Sequence, residues 1–176
     1  MPPIAGMWWS GCQRQVLAYK RAVLDEAGAS PACERVEVPV DLREDWAAEL
    51  CSRGFEQTAP TVWLAEGLLF YPPEVAVSTL LRTMAALSGT GSLLGTDTMS
   101  AATLASDQRR EWVQLFADAG ARFVFGTDEP AEFVAAGGWS PTVHLARDLG
   151  EQLCRPLPPP LVPGPPAGAI ITATLP

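Results

Sequence analysis

The sequence predicts an open α/β layer fold on a mostly parallel sheet. From residue 13 onward, segments with apolar residues at helical spacing alternate with short apolar runs of strand length. One of those runs, residues 60–65, is apolar on both faces, as expected of a parallel strand covered on both sides. The 176 residues are 48% hydrophobic and 18% charged, which suits one globular domain with a core.

The elements follow in order. Residues 1–12 show no strong period and are expected to be irregular. Val16, Leu17, Tyr19, Val23 and Leu24 recur at helical spacing over 13–27, with Gly28 as the stop. Residues 34–40 alternate polar and apolar and predict a strand that ends at Asp41-Leu42. Asp45 is placed to cap a helix over 46–53, stopped by Gly54. The two-faced strand 60–65 follows. Pro72-Pro73-Glu74 opens a helix, because a first-turn proline forfeits no helical bond and an acid there suits the dipole. Val75, Val77, Leu80, Leu81, Met84 and Leu87 are its expected buried face. A strand is predicted over 92–96, then a loop or weak helix over 99–106. Asp107 would cap a helix over 108–119 that turns Trp112, Val113, Leu115 and Phe116 inward. A strand over 122–126 and a short helix capped by Asp128 precede a last helix over 143–153. Prolines make 156–166 an extended connector, and 169–175 reads as a closing strand at an edge. No internal repeat or second domain is evident. The expected organisation is an irregular stretch over 1–12 and one domain over 13–176, with 155–168 as the connector.

The formal charge of −8 gives no electrostatic attraction for nucleic acid or an anionic membrane. No apolar run approaches the ~20 residues of a membrane span, and residues 1–12 lack the basic region and long apolar stretch expected of a secretory signal. Cys12, Cys33, Cys51 and Cys154 form no close pair, and His144 is the single histidine, so no metal set is expected. Reduced thiols in the cytoplasm, buried as small apolar groups, are the expectation.

In open α/β sheets, ligands lie beyond the carboxyl ends of the strands. Asp41 and Glu66 stand at two such ends. Asp41 can accept hydrogen bonds from a ligand, or serve as a turn or capping residue before the helix at Asp45. Glu66, after an apolar strand, is expected to be partly buried and to need a donor. Gly67 beside it permits close approach. Tyr71 can wall a pocket or pack in the core. His144 is expected before or at the start of a helix, with no nucleophile placed beside it.

Three blocks carry a resemblance. Gln15-Val-Leu-Ala-Tyr-Lys-Arg-Ala-Val-Leu24, Val38-Pro-Val-Asp-Leu-Arg-Glu-Asp-Trp46 and Thr61-Val-Trp-Leu-Ala-Glu-Gly-Leu-Leu69, with Tyr71 and Pro72, stand in this order. With them the chain resembles the actinobacterial branch of the leucine carboxyl methyltransferase-like family. Its members are S-adenosylmethionine-dependent O-methyltransferases with the Rossmann-like class I methyltransferase fold. The match runs over residues 13–176. It implies that Asp41-Leu42 lies against the adenine end of S-adenosylmethionine and that Glu66-Gly67 lines the cofactor and substrate cleft, with Tyr71 in the substrate pocket. Asp41 and Glu66 would then share the rim of one crevice.

The departures shape the functional expectation. The family carries a longer front part, with a helical region and a first strand whose Gly-rich turn holds the methionine end of the cofactor. It also has an acid followed by Gln-Pro, and that acid grips the ribose hydroxyls. The aligned residues here are Cys12, Gln13 and Arg14. The resemblance therefore implies a truncated sheet without the first strand, weak or lost cofactor binding, and a family member impaired or inactive alone. A small-molecule substrate is implied if it is active. The alternative is a non-catalytic remnant or pseudo-enzyme that pairs with a full-length homologue through an exposed sheet edge. Neither catalytic residue nor metal ligand is assigned.

Overall fold

A computed structural model describes residues 7–156 and 168–176. The chain forms two compact units, the first ending at Gln57 and the second beginning at Thr58. The strands make two sheets, one in each unit, rather than one mostly parallel sheet.

The first unit holds β1 (Met7–Cys12), α1 (Arg14–Glu26), β2 (Glu34–Pro39) and α2 (Trp46–Ser52). Residues 7–12, expected to be irregular, are a strand instead. They pair in parallel with β2, from Met7 opposite Glu34 to Cys12 opposite Pro39. The missing sequence period has a local cause: Trp8 and Trp9 are adjacent, and both faces of a two-stranded ribbon differ little in burial. Trp9 meets Phe55 edge-on at 5.2 Å. Asp45 caps α2 as expected, accepting from the Ala48 N–H at 3.0 Å. On α1 only Leu17 is buried, while Val16, Tyr19 and Val23 are exposed. Two strands offer too little surface to cover the whole apolar stripe. Arg21 of α1 and Arg35 of β2 both reach Glu37. The Arg21 hydrogen bond is the main cause that holds the Glu37 carboxyl below its ordinary range, against the opposing effect of burial.

The second unit holds β3 (Val62–Ala65), α3 (Glu74–Ala86), β4 (Leu93–Met99), α4 (Ala101–Ala105), a 3-10 turn at Asp107–Arg109, α5 (Arg110–Asp118), α6 (Pro130–Ala135), β5 (Ser140–His144), α7 (Ala146–Gln152) and β6 (Gly168–Thr174). The strand order is β3-β4-β6-β5. β3 and β4 are parallel, and β6 runs antiparallel to both neighbours. β6 is thus an interior strand, not the edge strand expected. The connector before it lies outside the described residues apart from its ends.

Register sorts this sheet into two faces. One carries the rows Trp63-Leu94-Ala173-Pro141 and Ala65-Thr96-Ile171-Val143. Here Ala65, Leu94, Thr96, Ile171 and Ala173 are buried, as are Val77, Leu80, Leu81 and Met84 of α3 and Val134 of α6. The Trp63 indole N–H donates to Ser88 at 2.7 Å, just past α3. Trp139 donates to the Leu81 carbonyl at 3.0 Å. The other face carries Val62-Leu93-Thr174-Ser140 and Leu64-Gly95-Thr172-Thr142. Val62 is 73% exposed and Leu64 60%. Among the described residues β3 is therefore an edge strand of this sheet with Val62 and Leu64 exposed, against the expectation of cover on both sides.

Several further expectations are revised. Val75 is exposed on α3. Residues 122–126 form no strand: the Val124 and Phe125 N–H groups both donate to the Phe70 carbonyl, and the ladder position on β4 is taken by β6. α5 has no buried residue, with Trp112 and Leu115 exposed. Asp107 gives its carboxylate to Arg110 rather than to a helix N-terminus. Asp128 accepts from the Ala102 N–H at 3.2 Å, so it caps α4 across the fold instead of α6. The expected helix over 143–153 is a strand followed by the shorter α7. None of the four cysteines is buried, and all are free thiols. Among the described residues, no helix is long and apolar enough to cross a membrane.

Candidate functional site

In the first unit, Gln13 follows β1 and Asp41 follows β2 after Val40, whose N–H donates to the Cys12 carbonyl at 3.0 Å. Parallel pairing therefore brings residues 12–13 and 40–42 to one carboxyl end. Asp41 is half-buried but already partnered. Its Oδ1 accepts from the Arg43 backbone N–H and from Arg43 Nε, each at 2.9 Å, and its Oδ2 accepts from Arg43 Nη2. These bonds are the main reason the Asp41 carboxyl falls from its ordinary range to about 2. A side-chain bond from Gln13 works in the same direction. Gln13 Oε1 in turn accepts from Gln15 Nε2 at 3.2 Å. Leu42 is half-buried at the same end. Asp41 thus stands both in a turn and at a strand end, and the turn use occupies most of its lone pairs.

In the second unit, β3 ends at Ala65 and the chain turns through Glu66-Gly67. Gly67 has φ +63°, which a residue with a side chain adopts only at a cost. Two bonds from β4 fix this turn. Thr96 Oγ1 donates to the Ala65 carbonyl at 2.8 Å, and the Gly67 N–H donates to Asp97 Oδ1 at 2.8 Å. Glu66 is exposed, not partly buried as expected: among the described residues β3 is an edge strand of its sheet. Tyr71 packs at 5.0 Å from Phe70 and 5.4 Å from Phe123. Phe123 also meets Trp112 and Phe116, so Tyr71 belongs to an aromatic cluster.

Two residues gain roles that the sequence did not signal clearly. Asp97 lies inside β4, whereas the apolar pattern ended that strand at Thr96. Its sequence signal equals that of Glu66, an acid just after an apolar run. His144 ends β5 and so precedes α7, one of the two expected positions, and its Nε2 lies 3.0 Å from Thr172 Oγ1. Asp97 and His144 are in register with the same residue of β6, Ile170, on either side of it. Each therefore belongs to one row across the carboxyl ends of β4 and β5.

The family model for leucine carboxyl methyltransferase matches residues 13–85. The Mycobacterium avium (strain 104) protein named "Putative S-adenosyl-L-methionine-dependent methyltransferase" is 39% identical over 145 residues, which is 78% of this chain and 47% of that one. A Frankia alni protein of the same printed description is 36% identical over 158 residues, 89% of this chain and 54% of its own. The chain spans about half the length of the curated relatives it matches. Among solved structures, an O-methyltransferase family protein from Burkholderia thailandensis superposes with a TM-score of 0.56 at 15% identity, over 98% of this chain and 44% of that one. LepI in complex with SAM gives 0.57 at 12%, over 99% and 37%. These likenesses show the Rossmann-like fold of class I methyltransferases. The chain thus matches the leucine carboxyl methyltransferase family over a stretch that spans both Asp41-Leu42 and Glu66-Gly67, and it is 36–41% identical to S-adenosylmethionine-dependent methyltransferase homologues of actinobacteria.

Proposed function

We propose that this chain supplies part of the cleft of an S-adenosylmethionine-dependent O-methyltransferase and is impaired or inactive in methyl transfer by itself. Asp41-Leu42 would face the adenine end of the cofactor, Glu66-Gly67 would line the cleft, and Tyr71 would wall the side that takes a small-molecule acceptor.

The observation that carries the reading is the end of β1 and β2. An adenine amino group needs an acceptor, and Asp41 offers one. A ribose diol needs a carboxylate for a charge-assisted bidentate contact, worth on the order of 1.5–3 kcal/mol per bond. The residue aligned with the family's acid is Cys12 here, and the side-chain oxygen of its neighbour Gln13 accepts from Gln15. Arg43 further competes for Asp41. The donor set thus fits the adenine end and does not fit the ribose, so no catalytic step is derived through the cofactor.

Isothermal calorimetry of the purified chain with S-adenosylmethionine tests the reading. Weak or absent binding is expected, and micromolar affinity would overturn the impairment.

A second reading has its own support: a non-catalytic chain that pairs with a full-length homologue. Among the described residues β3 has a single strand neighbour, and the two-stranded sheet of the first unit has fewer strands than sheets that stand alone. Light scattering on the chain mixed with a homologue tests it, and separate monodisperse monomers would count against it.

A further inference from the structure

We draw no further inference here: the strongest candidate, the aromatic cluster in the second unit that joins Tyr71, Trp112 and Phe116 around Phe123, belongs to the side of the cleft already proposed, and nothing in the structure shows what covers the exposed Trp112 and Leu115 of α5.

Discussion

Arg43 holds Asp41 by three hydrogen bonds, one from its backbone N–H and two from its guanidinium. The pair sits at the strand end proposed to face the adenine, where the guanidinium and a ligand would compete for one carboxylate. Arg43 is 83% exposed on its side chain and can swing into water, which makes the competition one of binding rather than of folding. Arg43→Ala should strengthen S-adenosylmethionine binding, read by calorimetry as a lower Kd. Unchanged or weaker binding would remove Asp41 from the adenine contact.

The same pair sets a pH dependence. The Asp41 carboxyl titrates at about 2 in the folded chain and at about 4 when unfolded. A folded value below the unfolded one stabilises the charged form. That contribution is fully present above about pH 4 and is lost as pH falls through about 2. Carboxyl carbon NMR should place the Asp41 midpoint near 2, and Arg43→Ala should move it up toward the ordinary carboxylate range.

The turn at Glu66-Gly67 depends on Asp97. Asp97→Ala leaves the Gly67 N–H without its 2.8 Å acceptor. Because the site is open to water, the loss should be near the low end for a bond to a charged group, about 1–1.5 kcal/mol in urea unfolding. Asp97→Asn keeps an acceptor and should cost less. Equal losses for both variants would mean that charge, not the bond, is what matters there.

Which parts were legible in the sequence follows from how local their causes are. α1, α2 and α3 follow from spacing, caps and stops that lie within or beside the element: Asp45 caps as read and Glu74 opens α3, while Pro73 stands just ahead of the first turn as the N-cap residue rather than within it. The strand over 122–126 failed because its apolar residues serve an aromatic cluster around Phe123, while its N–H groups go to Phe70. Asp107 and Asp128 look alike in sequence, yet one meets Arg110 and the other reaches the start of α4. β5 was hidden because Pro141 breaks its alternation and α7 follows after one residue. At the site, Asp41 and Glu66 were correctly placed at strand ends, but no local pattern could show that Arg43 fills the first or that the second is exposed.

Backbone approach gives a prediction that owes nothing to function. A Cβ at Gly89 would lie 2.2 Å from the Thr58 carbonyl oxygen. The Gly89 N–H also donates to the Ala59 carbonyl at 3.2 Å, and the Thr58 N–H donates to Leu87 at 3.1 Å. The two segments are thus bonded face to face and cannot part without breaking a ladder. Gly89→Ala should destabilise the second unit by about 1–3 kcal/mol, the usual range for overpacking, read as a lower urea midpoint. Gly91→Ala is a useful contrast: its Cβ would meet nothing within 4 Å, and its cost comes only from a φ of +82°.

The last prediction concerns the residue that stands where the family has its ribose-binding acid. Cys12 ends β1, opposite Pro39, and is half-buried with a free thiol. Cys12→Asp restores a carboxylate at the carboxyl end of β1, beside Gln13 and the Asp41 turn. If the chain's weakness toward S-adenosylmethionine lies in the lost diol contact, this one change should tighten binding by about tenfold or more, since one bond to a charged group is worth roughly 1.5–3 kcal/mol. Binding of methionine, which has no ribose, should not move. Arg43 is the cation paired with Asp41 at this strand end, so the gain should be larger in Arg43-containing protein than in the double variant with Arg43→Ala, which loses that counter-charge. A Cys12→Asp chain that binds no better than the parent would show that the ribose grip is not what limits cofactor binding by these residues.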